Sequence, residues 1–128
     1  METLTTHRVI IQVNSVYQQT YFNGTEYQHI FSYQITIINK NDFPIQVISR
    51  YWKIIDAFGK IIEVNGLGIV GEQPIILPNS IYEYSSGCNI ESELGTMEGH
   101  YICQNIINDQ NFEVQIPKFL LCMPNVLN

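Results

Sequence analysis

The chain has 128 residues, room for one domain and not for two. Hydrophobic residues make up 45% and charged residues only 14%, so Asn, Gln, Ser, Thr and Tyr must supply much of the polar surface. A net charge of −6, with cations scattered at Arg8, Lys40, Arg50, Lys53, Lys60 and Lys118, argues against the basic face that nucleic-acid binding requires.

The first residues, Met1–Arg8, lack the basic start and apolar centre of a secretion signal. No apolar run approaches the roughly 18 residues that span a bilayer. Val9–Tyr17 is rich in β-branched residues and reads as a strand. After the turn signal Asn23-Gly24, Phe31, Tyr33, Ile35 and Ile37 alternate with polar residues, as on a half-buried strand. Asn39–Asp42 then looks like a hairpin connection to the strand Ile45–Ile55. Within that strand, strict alternation would place Ile48, Arg50, Trp52 and Ile54 on one face.

Phe58-Gly59 breaks the pattern before a strand at Lys60–Val64, and Asn65–Pro78 is the longest stretch without a strand signal. Ile81–Ser86 is a strand, Gly87–Glu98 a second long loop, and Gly99–Ile107 a strand. Asn108–Gln110 forms a hairpin turn into the clearest alternation of all, Phe112, Val114 and Ile116. No window carries helical periodicity with caps. About seven antiparallel strands separated by short turns predict an all-β protein, an immunoglobulin or fibronectin type III-like β-sandwich. Binding residues on such a scaffold are expected in its long loops.

Gly66-Leu67-Gly68-Ile69-Val70-Gly71 matches the dinucleotide-binding pattern G-x-G-x-x-G. That mechanism needs a helix directly afterwards, and Pro74 and Pro78 forbid one. The loop can still act as a nest of backbone N–H groups for a phosphate, or serve structure alone. Arg50, between apolar neighbours, needs a partner because an unpaired buried charge is costly. Asp56 or Glu63 could pair with it, the Trp52 ring could stack on it, or it could hold a partner's anionic group.

Glu91, Glu93 and Glu98 surround Gly95 and could attract a hard cation, although a solvated acidic loop is commoner. His7, His29 and His100 lack metal-site spacing, and no catalytic motif of the G-x-S-x-G or H-E-x-x-H kind is present. Cys88, Cys103 and Cys122 cannot all pair and contain no Cys-x-x-Cys, which suits reduced thiols in a cytoplasmic protein.

Several segments in register carry a more specific signal. They are Ser49–Gly59, Val64–Pro74, Tyr82–Gly87, Gly95–Tyr101 and Ile116–Phe119. Together they resemble the central signature of ApaG proteins from about Val9 to the end, which treats residues 1–128 as one ApaG-like domain. Tyr51 stands where a histidine is common, and Asn79-Ser80 where Gly-Glu often follows the proline.

The resemblance implies a fibronectin type III-like sandwich. It also implies a role in divalent-cation homeostasis, specifically cobalt tolerance and magnesium efflux, without transport by the protein itself. A similar domain occurs in eukaryotic F-box and polymerase-delta-interacting proteins, where it serves protein–protein contact. Nucleotide or pyrophosphate binding has been suggested for the glycine loop, and no catalytic residues carry over. The expectation is a non-enzymatic accessory protein with an unidentified protein partner and no cofactor. Its candidate site is Gly66, Gly68, Gly71, Arg50 and Trp52. A phosphate or nucleotide ligand, or direct binding of Mg²⁺ or Co²⁺, are the alternatives; nucleic acid and membrane insertion are not expected.

Overall fold

The computed structural model describes residues 1–126. It contains β1 (Glu2–Thr6), β2 (Val9–Phe22), β3 (Tyr27–Asn39), β4 (Ile45–Asp56), β5 (Ile61–Leu67), β6 (Ile75–Ile76), β7 (Ile81–Ile90), β8 (Leu94–Asn105) and β9 (Asn111–Cys122). One sheet runs β1-β2-β3-β7; the other runs β5-β4-β8-β9, with β6 also on β4. Every pairing is antiparallel, and no helix occurs among the described residues. The architecture is thus the antiparallel β-sandwich that the alternation predicts.

The core lies where inward positions of the two sheets meet. Val9, Ile11 and Val13 of β2 and Phe31, Tyr33, Ile35 and Ile37 of β3 meet, across the core, Ile45, Val47, Trp52 and Ile54 of β4 and Val114, Ile116, Phe119 and Leu121 of β9 in the opposite sheet. Tyr33, Trp52 and Phe119 form an aromatic cluster at its centre, with ring centroids 5.4–6.1 Å apart. Aromatic rings at this spacing prefer tilted and edge-on geometries, as here.

Three departures from the predicted elements have physical reasons. β1 is almost wholly exposed, so no hydrophobic alternation betrays it. It folds back through His7-Arg8, both at positive φ, as a two-residue hairpin requires. Second, Gly87–Glu98 is no long loop: β7 continues to Ile90 and β8 begins at Leu94. The inward positions of β8 are Gly95, Met97, Gly99, Tyr101 and Cys103, and two glycines erase the apolar half of the pattern. A Cβ on Gly99 would lie 1.9 Å from the Tyr51 carbonyl oxygen, so only glycine allows this approach.

Third, Asn39–Asp42 is not a hairpin, because β3 and β4 lie in different sheets. The chain turns a corner around the fully buried Asn39 side chain. Its Nδ2 donates to the carbonyls of Phe43 (2.9 Å) and Ile76 (3.0 Å), and its Oδ1 accepts from the Asn41 backbone N–H (3.0 Å). The predicted hairpin at Asn108–Gln110 does join β8 to β9, in register from Gln104 opposite Asn111.

Candidate functional site

The glycine segment is built on an irregularity in β4. Between Val47 and Ser49 the register against β8 shifts by one, leaving Ile48 as an extra residue. Strict alternation therefore fails here: Val47 joins Trp52 and Ile54 in the core, and Ile48 leaves the face it was expected to share. The Ile48 carbonyl accepts the Gly68 N–H at 2.7 Å and Gln73 Nε2 at 3.0 Å, which pins both ends of the loop to the bulge.

Asn65–Pro78 is consequently less irregular than its composition suggests. β5 runs to Leu67, β6 returns at Ile75, and a tight turn fills the interval. Ile69 and Glu72 exchange both backbone hydrogen bonds, at 2.6 and 2.9 Å. Val70 and Gly71 between them have φ of 45° and 82°, the type I′ signature. Ile69 is buried and anchors the turn, while Val70 points outward. Gly68, at φ 60°, is forced as well, since a Cβ there would lie 2.0 Å from the Glu72 carbonyl oxygen.

Arg50 does not pair with Asp56 or Glu63. Its Nη1 donates to the carbonyls of Leu67 (3.0 Å) and Gly68 (3.1 Å). Asp56 instead accepts the N–H groups of Phe58 and Lys60 in the β4–β5 turn, and Glu63 accepts the Tyr51 hydroxyl at 2.8 Å. Gly66 is directly opposite Arg50 in the ladder, and a Cβ on it would meet the guanidinium at 2.7–2.8 Å. Gly66 thus gives the arginine its path across β5. Trp52 lies beneath this site, 2% exposed, and contributes packing rather than surface.

The structure therefore brings Arg50, Gly66, Gly68 and Gly71 together along one edge of the second sheet and leaves Trp52 in the core. A shallow hollow of about 430 Å³ adjoins them on the outer face, lined by Tyr51, Asn65, Leu67 and His100 among others. Tyr51 and His100 stack with centroids 5.1 Å apart. His100 comes from β8 and faces Tyr51 only through the β4–β8 register, so no sequence spacing announces it. The acidic residues do not gather: Glu98 lies along β8 opposite Lys53, away from Glu91 and Glu93 in the turn. Among the described residues no group of three or more His, Cys, Asp or Glu side chains could hold a metal ion. The described cysteines are all free thiols.

With this architecture in view, comparison with known proteins decides the family. The pattern of the ApaG domain matches residues 19–105. The chain belongs to the ApaG family. A protein called ApaG from Proteus mirabilis (strain HI4320) is 44% identical over 126 residues, covering 97% of this chain and 98% of that protein. ApaG of Sodalis glossinidius (strain morsitans) is 43% identical over 123 residues, covering 94% and 96%. Among solved structures, a structural-genomics X-ray structure superposes with a TM-score of 0.91 at 35% identity, covering 94% of this chain and 91% of that one. A crystal structure of a Bordetella pertussis protein described as ApaA gives 0.81 at 38% identity, covering 92% and 95%. The ApaG resemblance of the glycine segment and of the strands around it thus extends over nearly the whole chain. No helix of the described residues is long and apolar enough to cross a membrane.

Proposed function

We propose that this ApaG-family protein is a non-enzymatic binding module that engages another protein along the edge formed by β5, the glycine turn, β6 and the start of β7. One observation carries the reading. Leu67, Val70, Ile75, Leu77 and Ile81 are each more than half exposed, although all are large apolar residues and fall within one short stretch of chain. Grouped exposed apolar residues on a rigidly held edge are a common mark of a contact surface. Val70 strengthens the case, because a β-branched residue at positive φ is strained and such strain concentrates at functional positions. In this reading, the influence on divalent-cation handling is exerted through the partner.

Affinity capture from native cell extract tests the proposal when run beside a Leu67→Ser/Leu77→Ser variant. A partner retained by the wild type should be lost by that variant and kept by Leu120→Ser, which alters an exposed residue on β9, at the opposite edge of the sheet. Equal capture by all three would remove this edge from consideration. Calorimetric titration with Mg²⁺ and Co²⁺ should give no tight saturable heat; if it does, direct metal sensing replaces the indirect role.

A second reading uses the same turn for phosphate. Among the described residues, the N–H groups of Val70 and Gly71 make no backbone hydrogen bond and Arg50 has no carboxylate partner. Amide shifts of Val70 and Gly71 on adding pyrophosphate support that reading, and none at millimolar ligand rules it out.

A further inference from the structure

At the other end of β5, about 20 Å from the glycine turn at the usual rise of a strand, residues of both sheets meet around a hollow. A cleft of about 910 Å³ opens there. It is built from the end of β2, the β2–β3 and β4–β5 turns, the Glu91–Glu93 arch between the sheets, and the segment after β9. Nothing in the sequence places these pieces together.

Its walls are aromatic. Phe22 and Tyr27 meet edge to face with centroids 5.2 Å apart, and both are more than half exposed. Phe58, from the β4–β5 turn, is 74% exposed and completes this wall. Such an amount of uncovered ring surface is unfavourable in water unless something packs on it.

Among the described residues, the charged groups lining the cleft are Glu26, Glu91 and Glu93, all acidic. The neighbouring Glu91 carboxyl raises the Glu26 carboxyl above its usual range. Lys60 Nζ reaches Glu91 at 2.9 Å and holds that carboxyl low. The Lys60 ammonium pairs, among the described residues, with Glu91 alone, and a second cation arriving at Glu26 would relieve the repulsion between Glu26 and Glu91.

His29 supplies a third, independent feature. It is 6% exposed, yet its ring lines the cleft. Nδ1 is engaged with Thr20 Oγ1 at 2.8 Å, and Thr20 in turn with the Tyr17 hydroxyl at 2.6 Å. Among the described residues the side-chain hydrogen bond of His29 is made at Nδ1, on the Thr20 side of the ring. A mostly apolar hollow with a few fixed polar groups is the common form of a small-molecule site.

We propose that this cleft binds an organic cation, an amine carried on an aromatic or aliphatic body. The body packs against Phe22, Tyr27 and Phe58, the ammonium meets Glu26 and Glu91, and His29 Nε2 contacts a polar group on the ligand. An anion would meet three carboxylates. Aromatic faces attract a cation as well, so walls and rim favour the same ligand.

The test is an amide NMR titration of the whole protein with 3-phenylpropylamine, set against 3-phenylpropionate, which has nearly the same body and the opposite charge. The amine should give saturable shifts at Thr25, Glu26, Ser92 and Leu94, and the carboxylate none. Glu26→Gln/Glu91→Gln should weaken the amine about fivefold or more, as expected for loss of a charge-assisted contact. Glu26→Gln alone, in an exposed turn, serves if the double variant fails to fold. Equal shifts from both compounds, unchanged affinity in the variant, or shifts elsewhere would overturn the proposal. A lysine side chain on a peptide shares this chemistry with a free amine. A Phe-Lys dipeptide blocked at both ends separates the two, since tighter binding of the dipeptide assigns the site to a peptide.

Discussion

Asn39 shows how much structure can rest on one polar side chain. It is fully buried; its Nδ2 donates to the Phe43 and Ile76 carbonyls, and its Oδ1 accepts from the Asn41 N–H. Replacing it with alanine removes these three bonds from the interior, where a lost hydrogen bond costs about 1 kcal/mol and a group left wholly unsatisfied somewhat more. Asn39→Ala should therefore lower unfolding stability by about 2–4 kcal/mol in urea. Asn39→Asp should be no better, because a carboxylate cannot donate to either carbonyl; recovery of wild-type stability by Asp would refute this account. Arg50 and Gly66 are a second pair of this kind. That Arg50 needed a partner was legible from its neighbours. That the partner would be two backbone carbonyls across a glycine was not, because the answer lies on another strand.

At the scale of the element, the turn Ile69–Glu72 is the most informative. Both central residues are left-handed, and Val70 is poorly suited to that conformation. Val70→Asn would create Asn-Gly, the pair a type I′ turn prefers. We expect it to raise stability by about 1 kcal/mol in urea, the order of the left-handed penalty removed. It should also weaken partner capture, because the outward apolar side chain is lost. A variant less stable than wild type would mean that the turn is not strained at Val70. Strand boundaries were legible where one face is apolar, as in β3 and β9, and illegible in β1 and in the glycine-bearing half of β8. Periodicity reports burial, and a strand that buries nothing, or buries glycine, leaves no trace.

Considered whole, the sandwich stores ionisable groups in its core. Burial pushes the Cys88 thiol up to about 11 and the Cys103 thiol up to about 12. The Tyr84 and Tyr101 hydroxyls, which hydrogen-bond each other between β7 and β8, are raised by burial as well. In each case the folded state holds its proton more tightly than the unfolded state does. Above the unfolded value the unfolded chain has fewer protons bound, so stability falls as pH rises. The contribution is intact below about pH 8.5, the ordinary thiol value, and is lost on the way to the folded values. Urea midpoints should accordingly be level from pH 7 to 8 and decline above pH 9, by about 1.4 kcal/mol per thiol for each pH unit. Cys103→Val should flatten part of the decline; an identical slope in that variant would show that the thiol is not its source.

Sequence alone determined the class of this protein. Alternation with period two, turn residues at short intervals and prolines after the glycine segment demand strands and forbid the helix that dinucleotide binding would need. Those are local properties, settled by side-chain direction and backbone sterics. Which strands share a sheet, that Asn39 turns a corner, that a bulge at Ile48 receives the glycine turn, and that an aromatic, acidic cleft exists were decided only by tertiary structure. Each depends on residues tens of positions apart meeting across a ladder or between sheets, and no local pattern encodes that meeting.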